Sequence, residues 1–199
     1  MAVDMELVKK LRAQTGISIL ECKKALEECG SDSAKAIEYL RKKGFEKAKA
    51  KSSRVTTQGA IVSYIHMNNK IGVIVELSCE TDFVARNEEF IALGKDIAMQ
   101  IAALNPRFIS EKDIPADVLE KEKEIYREQL KGSGKPAPII EKIVTGKLSK
   151  FYAEACLIYQ PFFRDDKSTI EKLISEKIHK FGENIVVRRF VRYQVGEDL

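Results

Sequence analysis

Two histidines, His66 and His179, and four cysteines, Cys22, Cys29, Cys79 and Cys156, are the side chains of this chain best suited to acid–base or nucleophilic work. An imidazole serves as a general base near neutral pH and a thiolate as a nucleophile, but each needs an activating partner held close. The histidines lie far apart in sequence, and neither H-E-x-x-H nor G-x-S-x-G occurs. No two cysteines form C-x-x-C, and none has a histidine near enough to suggest zinc, so all four read as buried thiols. The glycines of "GSGK" and "TGK" do not sit in G-x-x-x-x-G-K-[ST], and Pro136 follows Lys135 where a phosphate loop should enter a helix. Glu88-Glu89 and Asp165-Asp166 stand in surface-like contexts. The expectation is a protein that is not an enzyme, with no catalytic residue, no metal site and no cofactor.

A different kind of chemistry is carried by Ser78 to Asn87, "SCETDFVARN", which sets an aromatic ring directly after an acid at a turn between two apolar runs. Asp82 is placed to cap a helix beginning near Val84 or Asn87, because a carboxylate at a helix start accepts backbone amides. On the residues alone, Phe83 reads as a plug in the core beneath that helix.

The elements around this stretch follow from periodicity. Residues 4 to 44 read as three short helices, the first with Leu7, Val8 and Leu11 on one face. Ser18 and Glu21 fit a capping box for the second, with Ile17 stapling onto Cys22. Gly30 should stop that helix, Asp32 or Ser33 should cap the third, and Gly44 should end it. The domain expectation is a three-helix module over 1–45, a basic linker over 46–54 and a core over 55–199.

From Gly59 the period changes to two: Ala60, Val62 and Tyr64 alternate with Ile61, Ser63 and Ile65, and Asn68-Asn69 turns the chain into Ile71, Val73, Val75 and Leu77. Phe90 to Leu104 returns to helical spacing. Residues 117–151 read as an antiparallel helical hairpin, broken at "GSGKPAP", which either projects toward a partner or lies flat on the sheet. "ACLIYQPFF" reads as a strand ended by Pro161, Ser168-Thr-Ile-Glu171 as a second capping box, and Asn184 to Val195 as a strand with apolar residues on both faces. The fold class is α+β: an antiparallel sheet with packed helices behind an N-terminal helical module.

Charge is uneven. Residues 1–54 hold 13 Lys and Arg against 8 Asp and Glu, although the whole chain is only +4. Arg41 to Arg54 carries seven positive charges with only Glu46 opposing them. Such a run suits phosphates or an acidic protein face, or it is a solvated linker. No window is apolar enough to span a membrane, and the start "MAVDMELVKKLRAQTG" lacks a signal-peptide core, so a cytoplasmic protein without membrane contact is expected.

Three blocks in order carry a resemblance. "LRAQTGISILECKKALEECGSDSAKAIEYLRKKG" resembles the N-terminal module of the bacterial elongation factor Ts family, "ETDFVARN" matches that family's Thr-Asp-Phe-Val signature, and "SGKP", "QPF" and "VGE" fall where its hairpin and final strand have them. The resemblance spans essentially the whole chain and is closest to the short form with one core subdomain. It implies a ubiquitin-associated-like module, an α+β core with a protruding helical hairpin, and a homodimer.

The function it implies is guanine-nucleotide exchange on elongation factor Tu, with no stable nucleic-acid partner. Thr81, Asp82, Phe83 and Val84 would form the wedge, with Phe83 entering an apolar pocket beside the partner's Mg²⁺ and phosphate site and Asp82 fixing the loop or touching the partner. Leu11, Arg12, Thr15, Gly16, Ile17, Ser18, Ile19 and Leu20 would grip the GTPase domain, while the core braces another domain. The rival function is an RNA- or ribosome-binding accessory protein using residues 41–54.

Overall fold

The computed structural model describes residues 3–132 and 135–197. Three helices open the chain: α1 (Met5–Thr15), α2 (Ile19–Glu28) and α3 (Ser33–Lys51). Their starts are capped as local chemistry dictates. Asp4 accepts from the amide of Glu6, Ser18 from that of Glu21, and Asp32 from those of Ala34 and Lys35. Val8, Leu11, Cys22, Ala25, Leu26, Ala36 and Leu40 form their common apolar core.

Two expectations fail in this region. Gly44 does not end α3, which continues through the segment expected as a tether to Lys51. The glycine serves packing instead: a Cβ there would stand 3.0 Å from Nδ1 of His179. Second, the capping box of α2 is only half formed. The Ser18 hydroxyl accepts the Glu21 amide at 3.3 Å, but the Glu21 carboxylate is engaged by Lys47 and by His179, at 2.8 Å from the latter.

Strands β1 (Gln58–Ile65), β2 (Ile71–Cys79) and β5 (Ile185–Gln194) form an antiparallel sheet in the order β1-β2-β5. Asn69, at φ 55°, makes the turn between β1 and β2, donating its amide to the carbonyl of His66. Val73, Val75, Leu77 and Cys79 alternate into the core, as the period of two requires. Helix α4 (Asp82–Ala85) is one turn, and α5 (Glu88–Leu104) follows it, with Asn87 accepting the amide of Glu89 at 2.8 Å. A Cβ on Gly94 of α5 would come within 2.6 Å of Val62 on β1, so the missing side chain lets helix and strand meet.

Helices α6 (Ala116–Leu130) and α7 (Ala137–Ala155) form the expected hairpin; Ser133 and Gly134 of its break lie outside the described residues. No residue of α6 is buried, whereas α7 buries Val144, Leu148, Phe151 and Ala155. Arg127 meets Glu141 at 2.8 Å between the two arms. Phe151, Ala155, Cys156 and Ile114 close the base.

The strand expected at "ACLIYQPFF" is mostly absent. Cys156 makes one parallel bridge to Phe108, residues 157–159 form a 3-10 turn, and only β3 (Pro161–Phe162) pairs, antiparallel to β4 (Asp165–Thr169). Side chains replace the missing ladder: buried Gln160 donates to the carbonyl of Glu154 at 2.8 Å, while buried Gln100 donates to Pro161 and accepts from the amide of Phe163. Helix α8 (Ile170–Phe181) starts directly after β4, so Ser168 lies in a strand two residues before the helix.

The chain divides into two compact units. One gathers the chain up to Val62 with Val75–Gly94 and Lys172–Arg188; the other comprises Ser63–Ile74, Lys95–Glu171 and the chain from Arg189 on.

Candidate partner-binding site

Strand β2 ends in a run of buried residues, and the chain must then leave the core to begin α4. Thr81 makes that exit. Its backbone is extended, φ −125° and ψ 157°, and its hydroxyl accepts the amide of Val84 at 3.5 Å as the N-cap of α4. Asp82 is therefore not the cap expected from sequence. It sits in the first turn and pairs with Arg86 at 3.2 Å, an exposed contact of small energetic consequence.

Phe83, the residue after it, is 84% exposed. This overturns the reading of Phe83 as a core plug. Fully burying such a ring contributes about 1.5–3 kcal/mol to a fold, and here that contribution is not taken up. Val84 and Thr81 are half-buried beside it.

The loop beneath Phe83 is held from below. Glu183, after α8, accepts the amide of Glu80 at 3.1 Å, the amide of Thr81 at 3.0 Å and the hydroxyl of Thr81 at 2.6 Å. Glu80 in turn accepts the amide of Asn184 at 2.6 Å. The Cys79 thiol donates to the carbonyl of Thr81 at 3.1 Å. Burial, with Glu183 nearby, pushes this thiol up to about 11, so it stays a protonated donor rather than a nucleophile. Cys156 is likewise pushed up to about 11 by burial.

The residues expected in the N-terminal grip fall in two groups. Leu11 is only 1% exposed and belongs to the core of the helical module, so its side chain supports the surface from within. Thr15 and Ile17 are half-buried; Thr15 donates its hydroxyl to the carbonyl of Leu11 at 2.8 Å, and Ile17 packs on the module core. Gly16 is the left-handed C-cap of α1, φ 68°, returning its amide to Arg12. Arg12, Ser18, Ile19 and Leu20 face solvent, Leu20 at 62%. Both groups and the Phe83 turn belong to the same compact unit.

Each histidine is held by a polar side chain. His66 pairs with the Tyr64 hydroxyl at 3.0 Å. His179 is buried with its Nε2 on Glu21, and burial, then Lys47 and Lys51, hold it below the usual imidazole range. Among the described residues no group of three or more His, Cys, Asp and Glu side chains is placed to hold a metal ion, and no helix is long and apolar enough to cross a membrane.

The family model described as elongation factor TS matches residues 5–197. The chain belongs to the elongation factor Ts family. Elongation factor Ts of Thermodesulfovibrio yellowstonii is 60% identical over 197 residues, covering 99% of this chain and 98% of that protein. Elongation factor Ts of Thermosipho melanesiensis is 58% identical over 98% of this chain and all of its own length, and that of Fervidobacterium nodosum 56% over 99% and 100%. Membership of the elongation factor Ts family places the chain in translation elongation.

The groups that sequence reasoning missed are Glu183 and Glu80. Neither stands in a recognisable local motif, and only the fold brings residues 80–81 to 183–184.

Proposed function

We propose that this chain binds elongation factor Tu and promotes release of GDP, so that GTP can bind and elongation continue. The supporting observation is the Phe83 ring, 84% exposed on a one-turn helix whose N-terminus is fastened by three hydrogen bonds to Glu183. An exposed aromatic on a rigid turn has the character of a hot-spot anchor: large apolar area and little ordering cost on docking.

Exchange of this kind is linkage rather than bond chemistry. A partner that binds the nucleotide-free GTPase more tightly than the GDP form weakens GDP by the same coupling free energy. Each tenfold acceleration of release removes about 1.4 kcal/mol from the barrier. GTPases hold nucleotide through backbone amides and a Mg²⁺ ion, so a ring inserted beside that site loosens it by displacing its geometry. Thr81, Asp82, Phe83 and Val84 form the wedge. Arg12 and the Thr15–Leu20 segment grip the GTPase domain, with Ile19 and Leu20 supplying apolar contact and Leu11 support. No covalent step is involved, and the site of action is the cytoplasm.

The chain acts as a homodimer in this reading. Ile61 and Val186 in one compact unit, and Ile65, Ile74, Val191 and Tyr193 in the other, are exposed apolar side chains on strands, and a second copy covering either set would remove it from water. The rival RNA reading is weakened by the basic segment itself. Arg41 meets Glu176, Lys43 lies over the Tyr39 ring, Lys47 meets Glu21, Lys51 donates to the carbonyl of Gly182 and Arg54 meets Glu80, so five of its seven cations are engaged within the fold.

The test is to load elongation factor Tu with fluorescent GDP and titrate in this chain. Saturable acceleration of release is expected. No acceleration, together with tight RNA binding of steep salt dependence, would replace this reading with the rival.

A further inference from the structure

Glu80 and Glu183 form a reciprocal clasp between two segments distant in sequence. The Glu183 carboxylate accepts the Glu80 amide while the Glu80 carboxylate accepts the amide of Asn184, the residue after Glu183. The same Glu183 oxygen that takes the Glu80 amide also takes the Thr81 amide, and its other oxygen takes the Thr81 hydroxyl. The clasp is extended by Asn184, only 2% exposed, whose side-chain amide donates to the carbonyl of Arg54 at 2.9 Å.

We propose that Glu183 is a positioning residue for nucleotide exchange, fixing the direction in which Phe83 is presented to the GTPase. This rests on the reading of Phe83 as the inserted ring. Thr81 is the pivot: its hydroxyl both caps α4, through Val84, and donates to Glu183. The rotation of a four-residue helix is therefore set by one carboxylate outside it. The backbone bonds of this single turn, from Ala85 to the carbonyl of Thr81 and from Arg86 to that of Asp82, close it internally without anchoring it to the rest of the fold, and hydrogen bonds to a charged acceptor are the stronger kind. Without Glu183, two backbone amides and a hydroxyl lose their common acceptor, and the ring samples orientations that do not fit a pocket. A loss of preorganisation appears in the maximal release rate, because displacement of about 1 Å at a positioned group can cost about 100-fold in rate.

The experiment follows fluorescent GDP release from elongation factor Tu, titrated with wild type, Glu183→Ala, Glu183→Gln, Phe83→Ala and the Glu183→Ala/Phe83→Ala double variant. Glu183→Ala is expected to lower the maximal rate about tenfold or more while changing the half-saturating concentration less. Glu183→Gln, which keeps a carbonyl acceptor for the two amides, should recover most of that rate. In the Phe83→Ala background Glu183→Ala should cost almost nothing further, since both act through one ring. Amide hydrogen exchange on the chain alone should show Glu80 and Thr81 exchanging faster in Glu183→Ala, with the amides of Val75 and Phe90 unchanged.

Full exchange activity of Glu183→Ala, or additive losses in the double variant, would overturn the inference and leave the wedge reading intact. Failure of wild type to release GDP would overturn both, whatever the amide exchange shows. Should Glu183→Ala not fold, Glu183→Met keeps the volume without the acceptors; if that also fails to fold, Glu183 is a folding residue and the inference is wrong.

Discussion

The imidazole of His179 on α8 donates from Nε2 to a carboxylate oxygen of Glu21 on α2 at 2.8 Å, joining positions 158 residues apart. A carboxylate only accepts, so the neutral ring carries its proton on Nε2. Lys47 of α3 meets the same carboxylate, which joins α2, α3 and α8 beside one buried imidazole.

That arrangement makes stability pH-dependent in a defined direction. Burial, then Lys47 and Lys51, hold the folded imidazole below its ordinary value, whereas the unfolded ring titrates at about 6.5. The stabilisation is complete above that unfolded value and is lost as pH falls through it toward the folded one. Denaturant melts at pH 7.5 and 5.5 should show a loss on acidification that is smaller in His179→Gln. Equal losses in both proteins would contradict the assignment.

Removing residues 1–50 should lower the stability of what remains. The deletion takes away the Arg41 partner of Glu176, the Glu21 acceptor of His179 and the Gly44 face that covers the imidazole, so it strips that ring of both packing and hydrogen bond. Thermal melts of the truncated and full chains provide the check. An unchanged melting temperature for the truncated chain would show that the helical module is energetically separate, as its local sequence pattern suggests.

What was legible in the sequence was what local chemistry decides. Ser18 and Asp32 cap helices where their spacing to apolar residues predicts, Asn69 turns the hairpin, and Val73, Val75 and Leu77 alternate inward. What was not legible depended on segments that meet only in the fold. Gly44 looks like a helix stop until His179 is known to lie against it. Glu21 looks like half of a capping box until His179 and Lys47 compete for its carboxylate. Phe83 illustrates the limit most clearly: the residues alone read it as core, and only the family resemblance read it as a ring kept for a partner, for which its exposure leaves it free.

The proposed homodimer has a direct mass test. Light scattering should give twice the 22.5 kDa chain mass, and Ile61→Asp, a charge at an exposed strand position, should shift the equilibrium toward monomer. A concentration-independent monomer of the wild-type chain at micromolar levels would contradict the proposal.

The measurement that bears most directly on the exchange mechanism is the effect of Phe83→Ala on GDP release, read beside its effect on folding. A side chain 84% exposed has little burial to lose, so truncation should cost about 0.5 kcal/mol of stability, the usual range for surface changes. A buried ring would cost roughly 3–5 kcal/mol. Fluorescent GDP release from elongation factor Tu, followed with wild type and Phe83→Ala alongside a thermal melt of each, separates the cases. An unchanged melt with release slowed about tenfold or more is the predicted result. Normal release by Phe83→Ala would contradict the wedge, and no release by the wild type would contradict the function.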